Sequence, residues 1–342
     1  MGVNISEIIP KKEITIKDLK DKVIAIDAYN TLYQFLTTIR QPDGTPLQDK
    51  KGNVTSHLSG LFYRNINLLQ EGISPIYVFD GKPPELKRKE IEKRKQAKEI
   101  AQKRYEGAKK INDTESMRKY SSQFVKITDE IINESKALLE ALGIPVIQAP
   151  SEGEAEAAYF AKRQEVWASA SQDYDSLLYG VPLLIRNLTL ARRRKSSSGI
   201  YIDVNIELID LDHVLNNLNI GLEQLICLAI MVGTDYNPGG IKGLGQRRAL
   251  EIAQKYNSPF EIFNAIEKND RYEMNFDWHE IFAHFHNYES KPVELKFNEV
   301  NPEKVKEILA SHDFSTERID SGLAKLQKLK EEKKQKGLGE FF

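Results

Sequence analysis

Seven acidic side chains fall where apolar segments end, and that placement is what a metal site needs. Residues 166–171 are a short apolar and small-residue run, the pattern of a buried strand, and they lead into Asp173 and Asp175. Residues two apart at a strand's end project to one side. Two like charges set together repel, and neither gains by leaving water. A positive group is therefore expected beside them, and a divalent cation held by oxygen ligands is the most economical one. The pattern repeats. Residues 23–26 end at Asp27, 76–79 at Asp80, 144–147 run on to Glu152 and Glu154, and the helix-like segment 222–234 closes at Asp235. In open parallel sheets ligands bind beyond the carboxyl ends of the strands. Strands that all finish in acid would deliver those acids to one edge, as a polynuclear metal site assembled from distant sequence.

The elements that must position these acids follow from the spacing of apolar residues. Strands are expected at 23–27, 76–80, 144–147 and 166–171, with further strands at 183–188 and 200–204. Helices are expected at 31–39, 57–69, 120–142, 152–162 and 222–232, and residues 5–19 read as a leading helix or turn. A strand–helix–strand order implies a parallel pair with a right-handed crossover. The fold class is therefore α/β with a central, mostly parallel sheet. Ser151 and Glu154 also fit a helix capping box, which explains Glu154 without chemistry but leaves Glu152 unexplained.

Charge is unevenly spread. The net value is −1, yet residues 82–110 carry twelve Lys/Arg against five Glu, which leaves an acidic body. That asymmetry implies a polyanionic partner. Pro83 and Pro84 break the chain after the second strand, and residues 85–110 form a helix too polar to lie flat on a core. A solvated helix held by Glu/Lys pairs is the plain reading. But the segment leaves directly from a strand-end aspartate, so its base stands over the proposed site, and with the next helix returning it would form an arch. Residues 192–199 are a basic loop, equally a phosphate contact or merely solvated. Residues 239–249 read GGIKGLGQRRA. Their glycines let backbone amides approach a phosphate, and the helix that follows favours an anion at its N-terminus. The turn is similar to a helix-hairpin-helix, which grips duplex backbone without reading bases.

At 342 residues the chain can bury a substantial core, and its 40% hydrophobic content is ordinary for a globular protein. No run reaches the ~18–20 apolar residues of a membrane span, and no secretory leader is expected. The single cysteine, Cys227, excludes an internal disulfide and reads as a core residue. Removal of the initiator Met before Gly2 would free an α-amine there. His279, His284 and His286 cluster in one segment; surface or hydrogen-bonded histidines are a better account of them than a metal site. Two phenylalanines end a Lys-rich tail, which suggests a docking peptide.

Taken together, these motifs resemble the flap endonucleases, structure-specific nucleases of DNA replication and repair. The resemblance runs over nearly the whole length: Gly2, IDAYNTLYQFL, YVFDGKPPELK, APSEGEAEAAY, ASASQDYDSLLYG, MVGTDYNPGGIKGLGQRRA and QKGLGEFF. It implies a PIN-like nuclease fold with a helical arch insertion and a helix-hairpin-helix type DNA-binding element. The implied organisation is an N-terminal nuclease region at 1–98, an arch at 82–130, and an internal nuclease region at 116–258 with the DNA-binding element at about 223–256. A C-terminal helical part of the same core would span 259–330, and a flexible tail with a sliding-clamp peptide 331–342.

The implied activity is a magnesium-dependent 5′ flap endonuclease and 5′–3′ exonuclease, acting in Okazaki fragment maturation and base excision repair. One Mg²⁺ would be held by Asp27, Asp80, Glu152 and Glu154, and a second by Asp173, Asp175 and Asp235, with Mn²⁺ able to substitute. Lys87 and Arg94 would reach the scissile phosphate, and Tyr33 would stack on the neighbouring base. Arg40, Arg64, Glu152, Gly233, Asp235, Gly243, Gly245, Arg247 and Arg248 would contact DNA, with K⁺ at the glycine turn. Gln335, Leu338, Phe341 and Phe342 match the peptide that docks on the ring-shaped sliding clamp, PCNA. The partners implied are branched DNA with a 5′ flap and that clamp. The protein would be a monomer, off the membrane, in the cytoplasm or nucleoid. The tail lacks the basic extension of eukaryotic members, which points to an archaeal-type member. Two alternatives remain: a bubble nuclease of the same superfamily, and a catalytically idle DNA-binding adaptor for the clamp. The short arch argues against the first and the full set of repelling acids against the second.

Overall fold

The β-branched runs form strands because each is flanked by residues that stop it, and the strands then stack side by side. The computed structural model describes residues 2–41, 43–190, 193–195, 201–290 and 293–339. The strands are β1 (Lys12–Ile14), β2 (Val23–Asp27), β3 (Ser74–Phe79), β4 (Val146–Gln148), β5 (Ala168–Ala170), β6 (Leu183–Arg186), β7 (Arg193–Lys195), β8 (Tyr201–Asp203) and β9 (Ile206–Asp210). The helices are α1 (Ala28–Thr38), α2 (Ser56–Gln70), α3 (Arg88–Lys110), α4 (Thr114–Ser121), α5 (Asp129–Ala141), α6 (Gly153–Lys162) and α7 (Asp175–Leu178). They continue with α8 (Leu211–Leu218), α9 (Leu222–Val232), α10 (Gln246–Lys255), α11 (Pro259–Glu267), α12 (Trp278–His286), α13 (Pro302–Ser311) and α14 (Thr316–Gly339).

Seven strands form one sheet in the order β1-β9-β6-β5-β2-β3-β4. The pairs β4–β3, β3–β2, β2–β5 and β5–β6 are parallel, and β9 runs antiparallel to both of its neighbours. Ile26 stands opposite Tyr77 on one side and Ala170 on the other, and Phe79 opposite Gln148. Four adjacent strands thus end at one level, and an acid follows each. Alternate residues serve opposite faces. Ala25, Ile76 and Val78 pack against α6 to α12, while Ile24, Ile26, Tyr77 and Phe79 pack against α1, α2, α5, α13 and α14. Helices cover both faces, as a parallel sheet requires.

Several elements differ from the sequence expectation. Residues 12–14 are a strand rather than part of a leading helix, because they pair with β9. β9 and α8 were not anticipated; Asp210 ends the strand and caps the helix by accepting from the His213 N–H at 3.0 Å. The helix expected over 120–142 is two. α4 stops at Ser121, Thr128 accepts from the Ile131 N–H to start α5, and Val125 between them turns into a small core with Leu36 and Ile131. The basic loop is flanked by the β7–β8 hairpin, but residues 191–192 and 196–200 lie outside the described residues. α14 runs to Gly339, so the tail expected to be flexible from 331 is helical up to that point. No single helix among the described residues is long and apolar enough to cross a membrane.

Gly60 lets α2 close on α1, since a Cβ there would run into the Phe35 ring. Alanine gains about 1 kcal/mol in helix propensity, but overpacking costs roughly 1–3 kcal/mol. Gly60→Ala is expected to lower the urea midpoint by a net loss on the order of 1 kcal/mol. A midpoint equal to or above the wild type would contradict this close approach.

Candidate metal centre

Each acid is aimed by the junction that follows its strand. Asp27 ends β2 and caps α1, with Oδ1 accepting from the Asn30 N–H at 2.9 Å and Oδ2 lying 3.3 Å from the Ser171 hydroxyl. Asp80 follows β3 and accepts from the Gly153 N–H at 2.7 Å, which brings the start of α6 against the end of β3. Glu152 is the residue before α6 and Glu154 lies in its first turn; no Ser151 cap forms, so the capping-box reading of Glu154 is set aside. After β5, Asp173 accepts from the Asn30 side chain at 3.0 Å. Asp175 opens α7 and accepts from the Val3 N–H at 2.6 Å. Gly2 is packed so closely that a Cβ there would sit 2.7 Å from Asp175 Oδ1 and 2.9 Å from Asp173 Cβ. Asp235 follows α9 in a turn fixed by Asn237, whose Oδ1 accepts from Thr234.

The seven acids form one electrostatic cluster. Burial, then the charges of Asp80 and Asp173, push Asp27 up to about 8. Burial and Glu152 push Asp80 up to about 6, and burial and Asp235 push Asp175 up to about 7. Glu154 is raised well above the usual range by burial and by Asp175, Asp27, Asp173 and Glu152. Its Oε2 is buried with no hydrogen-bond partner among the described residues. Such an oxygen is costly unless something positive meets it. The donor set is all carboxylate, which suits a hard cation such as Mg²⁺ or Mn²⁺. Among the described residues no three of these side chains yet stand in an arrangement that would hold an ion. The Lys87 ammonium lies between two walls of the cluster, 2.7 Å from Glu152 and 3.2 Å from Asp235.

Lys87 ends a short 3-10 turn at the foot of α3, and Arg94 lies two turns up the helix. Arg94 Nη2 is 2.7 Å from each Asp235 oxygen, and its Nε donates to Glu90 at 2.8 Å. Burial opposes the Asp235 charge, but Lys87 and Arg94 outweigh it and hold that carboxyl below its usual range. Both cations at the foot of α3, expected to reach a phosphate, engage carboxylates of the cluster here. α3 and α4 pack together as the two legs of the arch.

The residues expected to contact DNA divide. Tyr33 is half-buried against Leu36 and Val125 at the arch's return leg. Arg64 is half-buried, with no hydrogen bond or ion pair among the described residues. Arg40 is turned inward: it donates to Leu36 O at 2.9 Å, Gly44 O at 2.6 Å and Ser121 Oγ at 2.8 Å, tying α1 to the end of α4. Glu152, Gly233 and Asp235 belong to the acid cluster and its edge. At Gly233 φ is +111° and a Cβ would lie 2.6 Å from Gly240 N, so only glycine fits. Gly243 and Gly245 are exposed at the turn before α10, beside the exposed Arg247 and Arg248. Lys242, Gly243, Arg248, Arg271 and Tyr272 line a groove of about 390 Å³ there. Gln335 and Leu338 lie on the backbone of α14, while Phe341 and Phe342 fall outside the described residues.

Sequence reasoning missed Asn30 and Ser171, which hydrogen-bond the acids. Asn30 could have been found, since it follows Asp27 by three residues in the first turn of a helix and so shares its face. His279 and His286 are exposed, as expected, and pair with Asp277 and Glu223.

Family models for the XPG N-terminal domain and the XPG I-region match residues 1–101 and 143–235, which hold all seven acids. The catalytic core of Rad2 in complex with DNA substrate is 22% identical with a TM-score of 0.67, over 92% of this chain and 96% of that one, and shares the fold. Fold and family models are those of an XPG-type nuclease. Flap endonuclease-1 from Methanococcus jannaschii is 40% identical, with a TM-score of 0.76 over 97% of this chain and 100% of its own. Flap endonuclease 1 of Hyperthermus butylicus is 50% identical over 96% of this chain and 95% of its length, and that of Sulfolobus acidocaldarius 51% identical over 97% of each. The chain belongs to the flap endonuclease 1 family.

The raised acids make metal-free stability depend on pH. Their folded values lie above the ordinary carboxyl value of 3.8, so this stability is present below that pH and is lost as pH rises through about 6, 7 and 8, where Asp80, Asp175 and Asp27 ionise. The thermal midpoint of metal-free protein is expected to fall between about pH 5 and pH 8.5, and saturating Mg²⁺ to remove most of that fall. A metal-free midpoint that rises over this range would reject the crowding.

Proposed function

We propose that this chain hydrolyses a DNA phosphodiester at the base of a 5′ flap, using two Mg²⁺ or Mn²⁺ ions seated among the seven acids. The observation that carries the reading is the meeting of buried, mutually repelling carboxyls with the foot of a basic arch. Family membership supplies the substrate class. A divalent pair, when bound, would supply Lewis-acid activation of water and stabilise developing charge in phosphodiester hydrolysis. Asp27, Asp80, Glu152 and Glu154 would hold one ion, and Asp173, Asp175 and Asp235 the other.

The chain's own residues do the remainder. Lys87 and Arg94 exchange their carboxylate partners for the phosphate, and there offset the charge that develops on its oxygens. Burial in a carboxylate cluster keeps Lys87 charged for this task, because Glu152, Asp235 and Glu154 outweigh the cost of desolvation. Tyr33, at the arch's return leg, stacks on the base beside the cut. Arg64 and the glycine turn with Arg247 and Arg248 hold duplex backbone, with K⁺ between that turn and the phosphates. The same centre trims 5′ ends as an exonuclease. Okazaki fragment maturation and base excision repair are the processes that present such ends, so the working place is inside the cell. Gln335, Leu338, Phe341 and Phe342 dock a monomer on the sliding clamp.

One assay tests the core of this reading. A flap, a bubble and a nicked duplex are offered in parallel, with Mg²⁺ and with chelator. Cutting of the flap in preference to the bubble, abolished by chelator, is expected; metal-independent cutting or preference for the bubble overturns it. Lys87→Ala is expected to slow flap cleavage by about 10²- to 10³-fold with binding retained; an unchanged rate would remove Lys87 from the reaction. Deleting residues 335–342 should leave unstimulated cleavage intact and abolish stimulation by the clamp. Stimulation that survives the deletion places the docking peptide elsewhere.

A further inference from the structure

Behind the acid cluster lies a closed ring of three polar side chains from three separate elements. The Tyr179 hydroxyl is 3.0 Å from the Tyr236 hydroxyl and 3.1 Å from His284 Nε2, and His284 Nε2 is 2.8 Å from the Tyr236 hydroxyl. Both tyrosines are buried and His284 is half-buried. The rings pack as well as bond: Tyr236 and His284 have centroids 4.4 Å apart, and Phe285 lies 5.0 Å from Tyr179 and 5.2 Å from Tyr236.

The positions of the three residues give the ring its meaning. Tyr179 directly follows α7, the helix that Asp175 opens. Tyr236 directly follows Asp235. These two acids belong to the half of the site assigned to the second ion, and the charge of Asp235 acts on Asp175. The Tyr179–Tyr236 contact therefore ties together the two backbone segments that carry Asp175 and Asp235. His284, on α12, brings Nε2 within hydrogen-bond distance of both hydroxyls. Burial and the Lys87 charge push His284 down to about 4 and keep it neutral. With Nε2 of the neutral imidazole as acceptor, the two hydroxyl protons make two of the three bonds at a time: one phenol donates to Nε2 and the other donates to that phenol's oxygen.

We propose that His284 is a positioning residue of the nuclease: through Tyr179 and Tyr236 it fixes the spacing of Asp175 and Asp235, and so the affinity of the site for its second divalent ion. The inference rests on the two-metal reading above. Partners that orient metal ligands typically contribute 10- to 100-fold in metal affinity or activity. A second contact braces the neighbouring ligand helix: Tyr288, just beyond α12, donates to Glu156 of α6 at 2.7 Å, and Ser290 does so at 2.8 Å. The C-terminal helical part of the chain thus reaches the centre without placing any group in it.

The test is divalent-ion binding in the absence of DNA, measured by calorimetry with Mn²⁺ on full-length protein, alongside flap cleavage against Mg²⁺ concentration. His284→Leu is expected to weaken binding of one of the two ions by about 10- to 100-fold and to raise the Mg²⁺ needed for cleavage, with KM for flap DNA at saturating metal unchanged. His284→Gln, whose amide reaches the place of Nε2, should recover most of the loss. Equal impairment of the Leu and Gln variants, or wild-type binding by His284→Leu, overturns the proposal. Should His284→Leu fail to fold, Tyr179→Phe removes one vertex at constant volume and carries the same expectation, and wild-type binding by it overturns the proposal equally. Wild-type protein that binds no Mn²⁺ would instead sink the two-metal reading, so the two failures are distinguishable.

Discussion

Mutual repulsion among buried carboxyls is the constraint on which the rest of this structure depends. Asp27, Asp80, Glu154 and Asp175 each lose free energy by being both desolvated and crowded. Left to themselves they would turn to water. Three of them are tied down by backbone donors, two from far along the chain and one from the next turn: the Gly153 amide on Asp80, the Val3 amide on Asp175, and the Asn30 amide on Asp27. At two of these points even a methyl group is excluded, since a Cβ at Gly153 would lie 2.8 Å from Asp80 Oδ1 and one at Gly2 2.7 Å from Asp175 Oδ1. Backbone, not side chain, is what packs this site tight.

The arch answers that repulsion only in part. Lys87 and Arg94 give two positive charges against seven acids, and both fall on the Glu152–Asp235 side. The basic excess of residues 82–110 is otherwise displayed on a helix with little buried surface; only Ala101 and Ala108 of α3 are buried. A helix so weakly held by packing depends on its neighbour α4 and on what lies inside the arch. The Arg40 bonds to Gly44 and Ser121 tie the returning leg to α1. An arginine read from family resemblance as a DNA contact is here a fastening between the catalytic sheet's first helix and the arch.

How much could be read beforehand varied with how local the physics was. The acids were legible because each follows an apolar run within a few residues, and strand ends in a parallel sheet converge whatever lies between them. The arch was legible from charge and from a pair of prolines. The break between α4 and α5 was not, since it depends on Val125 finding Leu36 and Ile131 across space. β9 was missed because a five-residue antiparallel strand beside a parallel sheet carries no signal of its own. The Tyr179–Tyr236–His284 ring was invisible for the same reason: its members are 48 to 105 residues apart, and hydrogen bonding expected of the histidine cluster names no partner from sequence.

The Val3–Asp175 bond spans 172 residues and the Asp80–Gly153 bond 73. Translation supplies these partners one after another. A nascent chain exposes its earliest acids long before α9 and the segment beyond it leave the exit tunnel. Completion of the acid cluster is thus delayed by the order of synthesis itself, and a polypeptide truncated before residue 235 is released without the last of the seven carboxylates.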